Sequence, residues 1–166
     1  TGHIESEYSD KDSEAKWEWN PSRGQWRYLD KERIPPRLMP GAGLYESRAI
    51  AIHLQGSDSL NIQQGEPRTL AVKVIQMSSP DELDQYRPSS FRLADLMAAE
   101  STQLSADFLR ETRFILQPGQ TRTLALDRIK GASHLAVLAG YFSMSDDTSV
   151  RVLAIHVVDV ACVPII

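Results

Sequence analysis

Apolar residues recur at every second position along much of this chain, and that spacing limits it to strands that bury one face. Ile50, Ile52 and Leu54 alternate with Ala51, His53 and Gln55, the pattern of a half-buried strand whose successive side chains point to opposite faces. Leu70, Val72 and Val74 alternate with Ala71, Lys73 and Ile75 in a second strand. Thr112–Leu116 and Thr121–Leu126 flank Gln117-Pro118-Gly119-Gln120, where Pro and Gly predict a tight reversal. Leu135–Phe142 and Val150–Val163 are apolar on both faces, which suits strands central to a two-layer packing, and Asp146-Asp147-Thr148 reads as the hairpin loop between them.

Between the second and third of these strands the period changes. Ser79-Pro80 before Asp81-Glu82-Leu83 reads as a cap and helix start. Ser90 precedes Phe91, Ala94, Asp95 and Leu96, with Phe91 and Ala94 three apart on one helical face, and Leu104 and Phe108 stand four apart. The expectation is a mainly β, two-sheet sandwich with a short helical insertion between strands 2 and 3.

Residues 1–44 read differently, and the chain divides into this extension and a sandwich over 45–166. The extension holds Tyr8, Trp17, Trp19, Trp26 and Tyr28 but few aliphatic residues. Asp12–Trp19 could form a short helix, after which Pro21, Gly24, Pro35, Pro36 and Pro40 punctuate the path. Within residues 1–20 the acids Glu5, Glu7, Asp10, Asp12, Glu14 and Glu18 face only Lys11 and Lys16, a balance equal to the whole net charge of −4. Residues 21–166 balance 16 acids against 16 bases and are neutral. Either the aromatics dock on the body or the segment is a solvated tether.

Charge and motif exclude several function classes. A neutral body without a basic stripe lacks the phosphate-neutralising surface that nucleic-acid binding needs, so no nucleic-acid partner is expected. No apolar run reaches the roughly 18–20 residues of a spanning helix. The sequence opens Thr1-Gly2-His3, which reads as a processed start with any export signal or anchor upstream. His3, His53, His134 and His156 have no metal-ligand spacing, and the single Cys162 neither closes a disulfide nor builds a zinc site. Within an apolar strand Cys162 reads as a buried small hydrophobe, and Asp159 as a paired or edge residue. No nucleophile elbow, phosphate loop or dinucleotide fingerprint occurs. No enzyme, cofactor or metal is expected.

The segment joining the first two strands is too long for a minimal hairpin. It runs Gly56, Ser57, Asp58, Ser59, Leu60, Asn61, Ile62, Gln63, Gln64, Gly65, Glu66, Pro67. Leu60 and Ile62 stand among polar neighbours. They either fold back as a plug on the end of the sandwich or present a contact to a partner, and physics alone leaves both open.

A family likeness begins at this loop. Leu60-Asn61, Gly65-Glu66-Pro67-Arg68 and Leu70-Ala71-Val72-Lys73-Val74-Ile75-Gln76-Met77 resemble the TssJ lipoprotein family of the type VI secretion system. Phe91, Ala94 and Asp95, then Phe114-Ile115-Leu116-Gln117-Pro118-Gly119, then Leu135–Phe142 continue it in family order over about residues 48–163. The chain departs from the family pattern with Ile75 for Tyr, Met77 for Leu, Leu96 for Phe and Phe142 for Arg. The resemblance implies a transthyretin-like sandwich on the periplasmic face of the outer membrane, anchored through an acylated N-terminal cysteine absent from this sequence. It implies an assembly role, with the periplasmic C-terminal region of the inner-membrane protein TssM as partner. The contact loop would be Gly56–Pro67, with Leu60, Asn61 and Ile62 at its centre, which favours the partner reading. From another class, a glycan- or small-ligand-binding sandwich would use Trp17, Trp19 and Trp26 as stacking platforms.

Overall fold

A computed structural model describes residues 17–23, 25–28 and 46–155. Strands β1 (Trp17–Asn20) and β2 (Gln25–Tyr28) form an antiparallel hairpin. The sandwich follows as β3 (Glu46–Gln55), β4 (Leu70–Met77), α1 (Asp81–Asp84), α2 (Ser90–Ala98), α3 (Ser101–Leu104), β5 (Phe108–Leu116), β6 (Thr121–Arg128), β7 (His134–Gly140), α4 (Asp146–Ser149) and β8 (Val150–Ala154). Strands β3 and β6 pair antiparallel in one sheet, and β5-β4-β7-β8 form a second, wholly antiparallel one. The expected mainly β, two-sheet arrangement with a helical insertion between its second and third strands is the observed one, consistent with a transthyretin-like sandwich.

The inter-sheet core follows the alternation. Ile50, Ile52, Leu54 and Leu124 from the smaller sheet meet Leu70, Val72, Val74, Phe114, Leu116, Leu135 and Val137 from the larger. The opposite face of the larger sheet is also covered. Ile75, Met77, Ala136 and Leu138 pack with Leu83, Leu93 and Leu96 of the helical insertion, together with Phe108, Met144 and Val150. This double cover explains why β4 is buried at every position from Val72 to Met77 and why β7 is apolar on both faces.

Gln76 joins the two sheets. Its side chain enters the inter-sheet layer, donates from Nε2 to the Asp127 carbonyl at 2.7 Å and accepts from the Ile129 N–H at 2.9 Å. A buried amide satisfied on both sides fixes how the end of β6 lies over β4.

One local expectation is corrected and others are made specific. In α2 the buried residues are Leu93 and Leu96, while Phe91 is 73% exposed and Ala94 is exposed. The helical period permits either face, and the larger aliphatic pair takes the core. Leu104 ends α3 half-exposed whereas Phe108 opens β5 and is buried, so they share no helix. The Pro-Gly turn reverses the chain but does not make a hairpin: β5 and β6 belong to different sheets, so Gln117–Gln120 is a corner between layers. Asp146–Ser149, in the expected hairpin connection between β7 and β8, is a helical turn capped by Ser145.

In the extension, Trp17–Asn20 is a strand and not part of a helix. Pro21 blocks helix propagation, and the Asn20 carboxamide oxygen accepts from the Ser22 and Arg23 N–H groups at 3.1 and 3.2 Å, closing the turn. The register sets Trp17 opposite Tyr28 and Trp19 opposite Trp26, so the four aromatics occupy positions on one face of the hairpin. Asp12–Lys16, Asp159 and Cys162 lie outside the described residues, as do His3 and His156.

Candidate interaction loop

The loop between β3 and β4 is braced along most of its length. Gly56 is buried, and a Cβ there would meet the Gln117 carbonyl oxygen at 2.6 Å, so only glycine fits. Its N–H donates to the Gln120 carbonyl at 2.8 Å. The Ser57 carbonyl accepts from both Leu60 N–H and Gly119 N–H at 3.1 Å. The base of the loop is thereby tied to the corner between β5 and β6. Ser57, Asp58 and Ser59 are exposed.

Leu60 and Ile62 part company. Leu60 is 6% exposed and belongs to the inter-sheet core, whereas Ile62 is 56% exposed. The loop therefore plugs the sandwich with one apolar side chain and displays another. Leu60 is an internal anchor, which corrects its placement among surface contacts. Asn61 between them has φ +48°, a left-handed conformation that asparagine tolerates better than most residues. Its carboxamide Nδ2 donates to the Thr69 carbonyl at 2.9 Å, and Oδ1 accepts from the Phe142 N–H at 3.2 Å.

The tip is a small reversal. Gln63 and Glu66 exchange backbone hydrogen bonds of 2.9 and 3.1 Å around Gln64 (φ +55°) and Gly65 (φ +82°), the two positive φ values of a type I′ turn. Glu66 accepts from Arg68 at 2.8 Å across the exposed surface, and Pro67 is exposed beside them. Ile62 sits before this reversal with polar neighbours on both sides along the chain.

Two other exposed apolar residues, Phe142 (78%) and Ile115 (52%), stand at the same end of the larger sheet. Sequence alternation does not find Ile115, because its exposure depends on where a distant helix ends.

A buried charge marks that helix end. Lys73, fully buried in β4, donates from Nζ to the Leu96 and Ala99 carbonyls at 2.6 Å each and to the Ser101 hydroxyl at 3.2 Å. Glu111 lies 3.4 Å away. A lysine on the last carbonyls of α2 satisfies acceptors the helix cannot satisfy itself. Burial pushes the Lys73 ammonium below its usual range, against the opposing pull of Glu111. Burial also acts to raise the Glu111 carboxyl, but hydrogen bonds from Ser101 and the charges of Lys73 and Arg113 hold it below the usual carboxylate range. The group holds structure together and presents no reactive face.

The histidines make no catalytic set among the described residues. His53 Nδ1 meets Thr123 Oγ1 at 3.1 Å in the smaller sheet, while His134 Nδ1 meets Ser133 Oγ at 2.8 Å in the larger. Among the described residues no group of three or more His, Cys, Asp or Glu is placed to hold a metal, and no helix is long and apolar enough to cross a membrane.

The family described as "Type VI secretion lipoprotein, VasD, EvfM, TssJ" matches residues 48–159. A comparison with curated proteins finds no match. Among solved structures, the T6SS lipoprotein TssJ1 from Pseudomonas aeruginosa is similar with a TM-score of 0.53 at 20% identity, over 64% of this chain and 78% of that chain. Serratia marcescens Lip, a membrane bound component of the Type VI Secretion System, gives 0.54 at 19% identity over 64% and 74%. A chain in the structure described as T6SS protein TssM C-terminal domain from EAEC gives 0.53 at 18% over 63% and 82%. At these identities the structural likeness is one of fold. The family match is independent of it and runs across nearly all of the sandwich described above: the chain belongs to the Type VI secretion lipoprotein family.

Proposed function

We propose that this chain links the outer membrane to the periplasmic C-terminal region of TssM, gripping that partner with the loop Gly56–Pro67. Family membership gives the chain a structural, adaptor role in the type VI membrane complex. In the proposed arrangement an acylated cysteine outside this sequence holds the protein on the periplasmic face of the outer membrane, residues 1–44 set its reach, and residues 45–166 form the adhesive domain. The observation that supports the loop most directly is its division of labour. Leu60 is driven into the core, and the hydrogen bonds of Ser57, Asn61 and Gln63 fix the backbone. Ile62 is then presented to solvent at little remaining entropic cost, and pre-ordering of this kind is what makes an exposed apolar residue an effective anchor.

Titration calorimetry of this chain against the periplasmic C-terminal fragment of TssM tests the reading. Ile62→Asp is expected to weaken binding tenfold or more, about 1.4 kcal/mol. Unchanged affinity of this variant would remove the loop from the contact.

A second reading follows from the hairpin register, which puts Trp17, Trp19 and Trp26 at positions on one face. Such a face could stack on a glycan of the cell wall. A tryptophan fluorescence shift on adding soluble peptidoglycan fragments supports that reading, and a silent titration rejects it.

A further inference from the structure

The larger sheet of the sandwich is covered by helices on one face, but the cover stops short of one end. Arg113 marks the limit: its guanidinium donates to the Ala98 carbonyl at 3.3 Å and to the Ala99 carbonyl, at the terminus of α2. Arg113 pairs with Lys73, which pairs on its other side with Leu138. The next row on the same face, two residues outward on each strand, is Ile115, Ala71 and Gly140. It lies past the last helical turn. Ala71 is exposed and Ile115 is 52% exposed, while a Cβ on Gly140 would meet the Met97 methyl at 3.0 Å.

This row is a shallow apolar shelf. Two small residues, Ala71 and Gly140, form its floor, Ile115 rises at the β5 side, and Met97 closes the end towards the helix. Phe142, two residues beyond Gly140, is 78% exposed. Its N–H is held at 3.2 Å by Asn61, the neighbour of Ile62. Shelf and loop are thus parts of one connected surface. Of the five large apolar side chains exposed among the described residues, Ile62, Ile115 and Phe142 gather at this end. Clustered exposed apolar groups with a polar rim mark a contact surface, whereas scattered ones do not.

We infer that the TssM-binding surface continues from the loop across this shelf, so that an apolar segment of the same partner seats over Ala71 and Gly140 between Ile115 and Phe142. The inference rests on the loop reading given above, and continuity through Asn61 selects the occupant. A lipid surface fits poorly, because Arg68 and Arg113 beside the patch are already engaged by Glu66 and Glu111 and do not offer the free basic cluster that lipid headgroups require.

The test uses the full chain and the TssM periplasmic fragment, with Ile62→Asp, Ile115→Glu and Phe142→Glu measured separately and thermal unfolding as a fold control. Phe142→Trp is added as the conservative variant. The expected result is at least a tenfold loss of affinity in each of the three charged variants, with unfolding temperatures unchanged and binding retained by Phe142→Trp. If Ile62→Asp loses binding while Ile115→Glu and Phe142→Glu stay within twofold, the shelf is overturned and the loop reading stands. If the shelf variants lose binding while Ile62→Asp does not, the loop reading falls and the proposed continuity with it. Sedimentation supplies a separate arm: self-association abolished by Phe142→Glu, with no effect on TssM binding, would make the occupant a second copy and overturn the inference.

Discussion

Lys73 stands in the middle of an alternating strand, at a position where a charge would ordinarily face water. Here that face is covered by α2, and the ammonium is paired with the Leu96 and Ala99 carbonyls, Ser101 and Glu111. Charges removed from water in this way are costly to separate, because the survivor is left buried and unpaired. Glu111 is held below the usual carboxylate range in the folded state. The unfolded chain binds its proton first as pH falls below about 4.3, so the contribution of Glu111 is complete above that value and lost as pH drops through the lower, folded value. Lys73 has the same direction at the alkaline end: with its folded value lowered, stability rises as pH climbs towards the ordinary lysine range. Glu111→Gln is therefore expected to cost about 3 kcal/mol at pH 7 and to flatten the acid limb of the stability profile. Urea titrations of parent and variant between pH 7 and pH 3 check this, and parallel curves would contradict it.

At the scale of elements, much was legible and the exceptions share one cause. Ile50, Ile52 and Leu54, like Leu70, Val72 and Val74, announce their strands because a half-buried strand writes its own burial into the sequence. The helical insertion is legible as a change of period, but its orientation is not: Phe91/Ala94 and Leu93/Leu96 have the same spacing, and only packing against Ile75, Met77 and Leu138 chooses between them. The corner at Gln117–Gln120 encodes a reversal without saying which sheet receives the next strand. Loop Gly56–Pro67 is legible as a connection too long for a minimal hairpin that carries two apolar residues, but the opposite fates of Leu60 and Ile62 depend on the sandwich end beneath them. That difference yields a stability contrast within one element. Leu60→Ala opens a cavity in the inter-sheet core and is expected to cost about 2–5 kcal/mol, while Ile62→Asp, on the exposed side, should stay within about 0.5 kcal/mol of the parent. Chemical denaturation of both variants decides, and equal losses would mean that the loop packs as a unit with Ile62 inside.

At the scale of the whole molecule, the sandwich and the extension pose different physical problems. The sandwich buries two apolar layers on either side of β4 and β7. The hairpin of β1 and β2 has four residues in each strand, and a two-stranded ribbon of that size is marginal in water without something over its apolar face. Its register sets Trp17, Trp19, Trp26 and Tyr28 at positions on one face and Glu18 opposite Arg27 on the other, so only one face needs cover. The proposed division at residue 44 makes the sandwich the nearest source of that cover. Removing residues 1–44 is then expected to lower the melting temperature by several degrees, since even 1 kcal/mol of lost packing moves a domain of this size by about 2–8 °C. The same truncation should leave TssM affinity unchanged, because loop and shelf lie wholly within residues 45–166. Differential scanning calorimetry and calorimetric titration of the truncated chain measure the two effects independently. An unchanged melting temperature would make residues 1–44 a tether that contributes reach alone, and a lost affinity would move part of the grip into the extension.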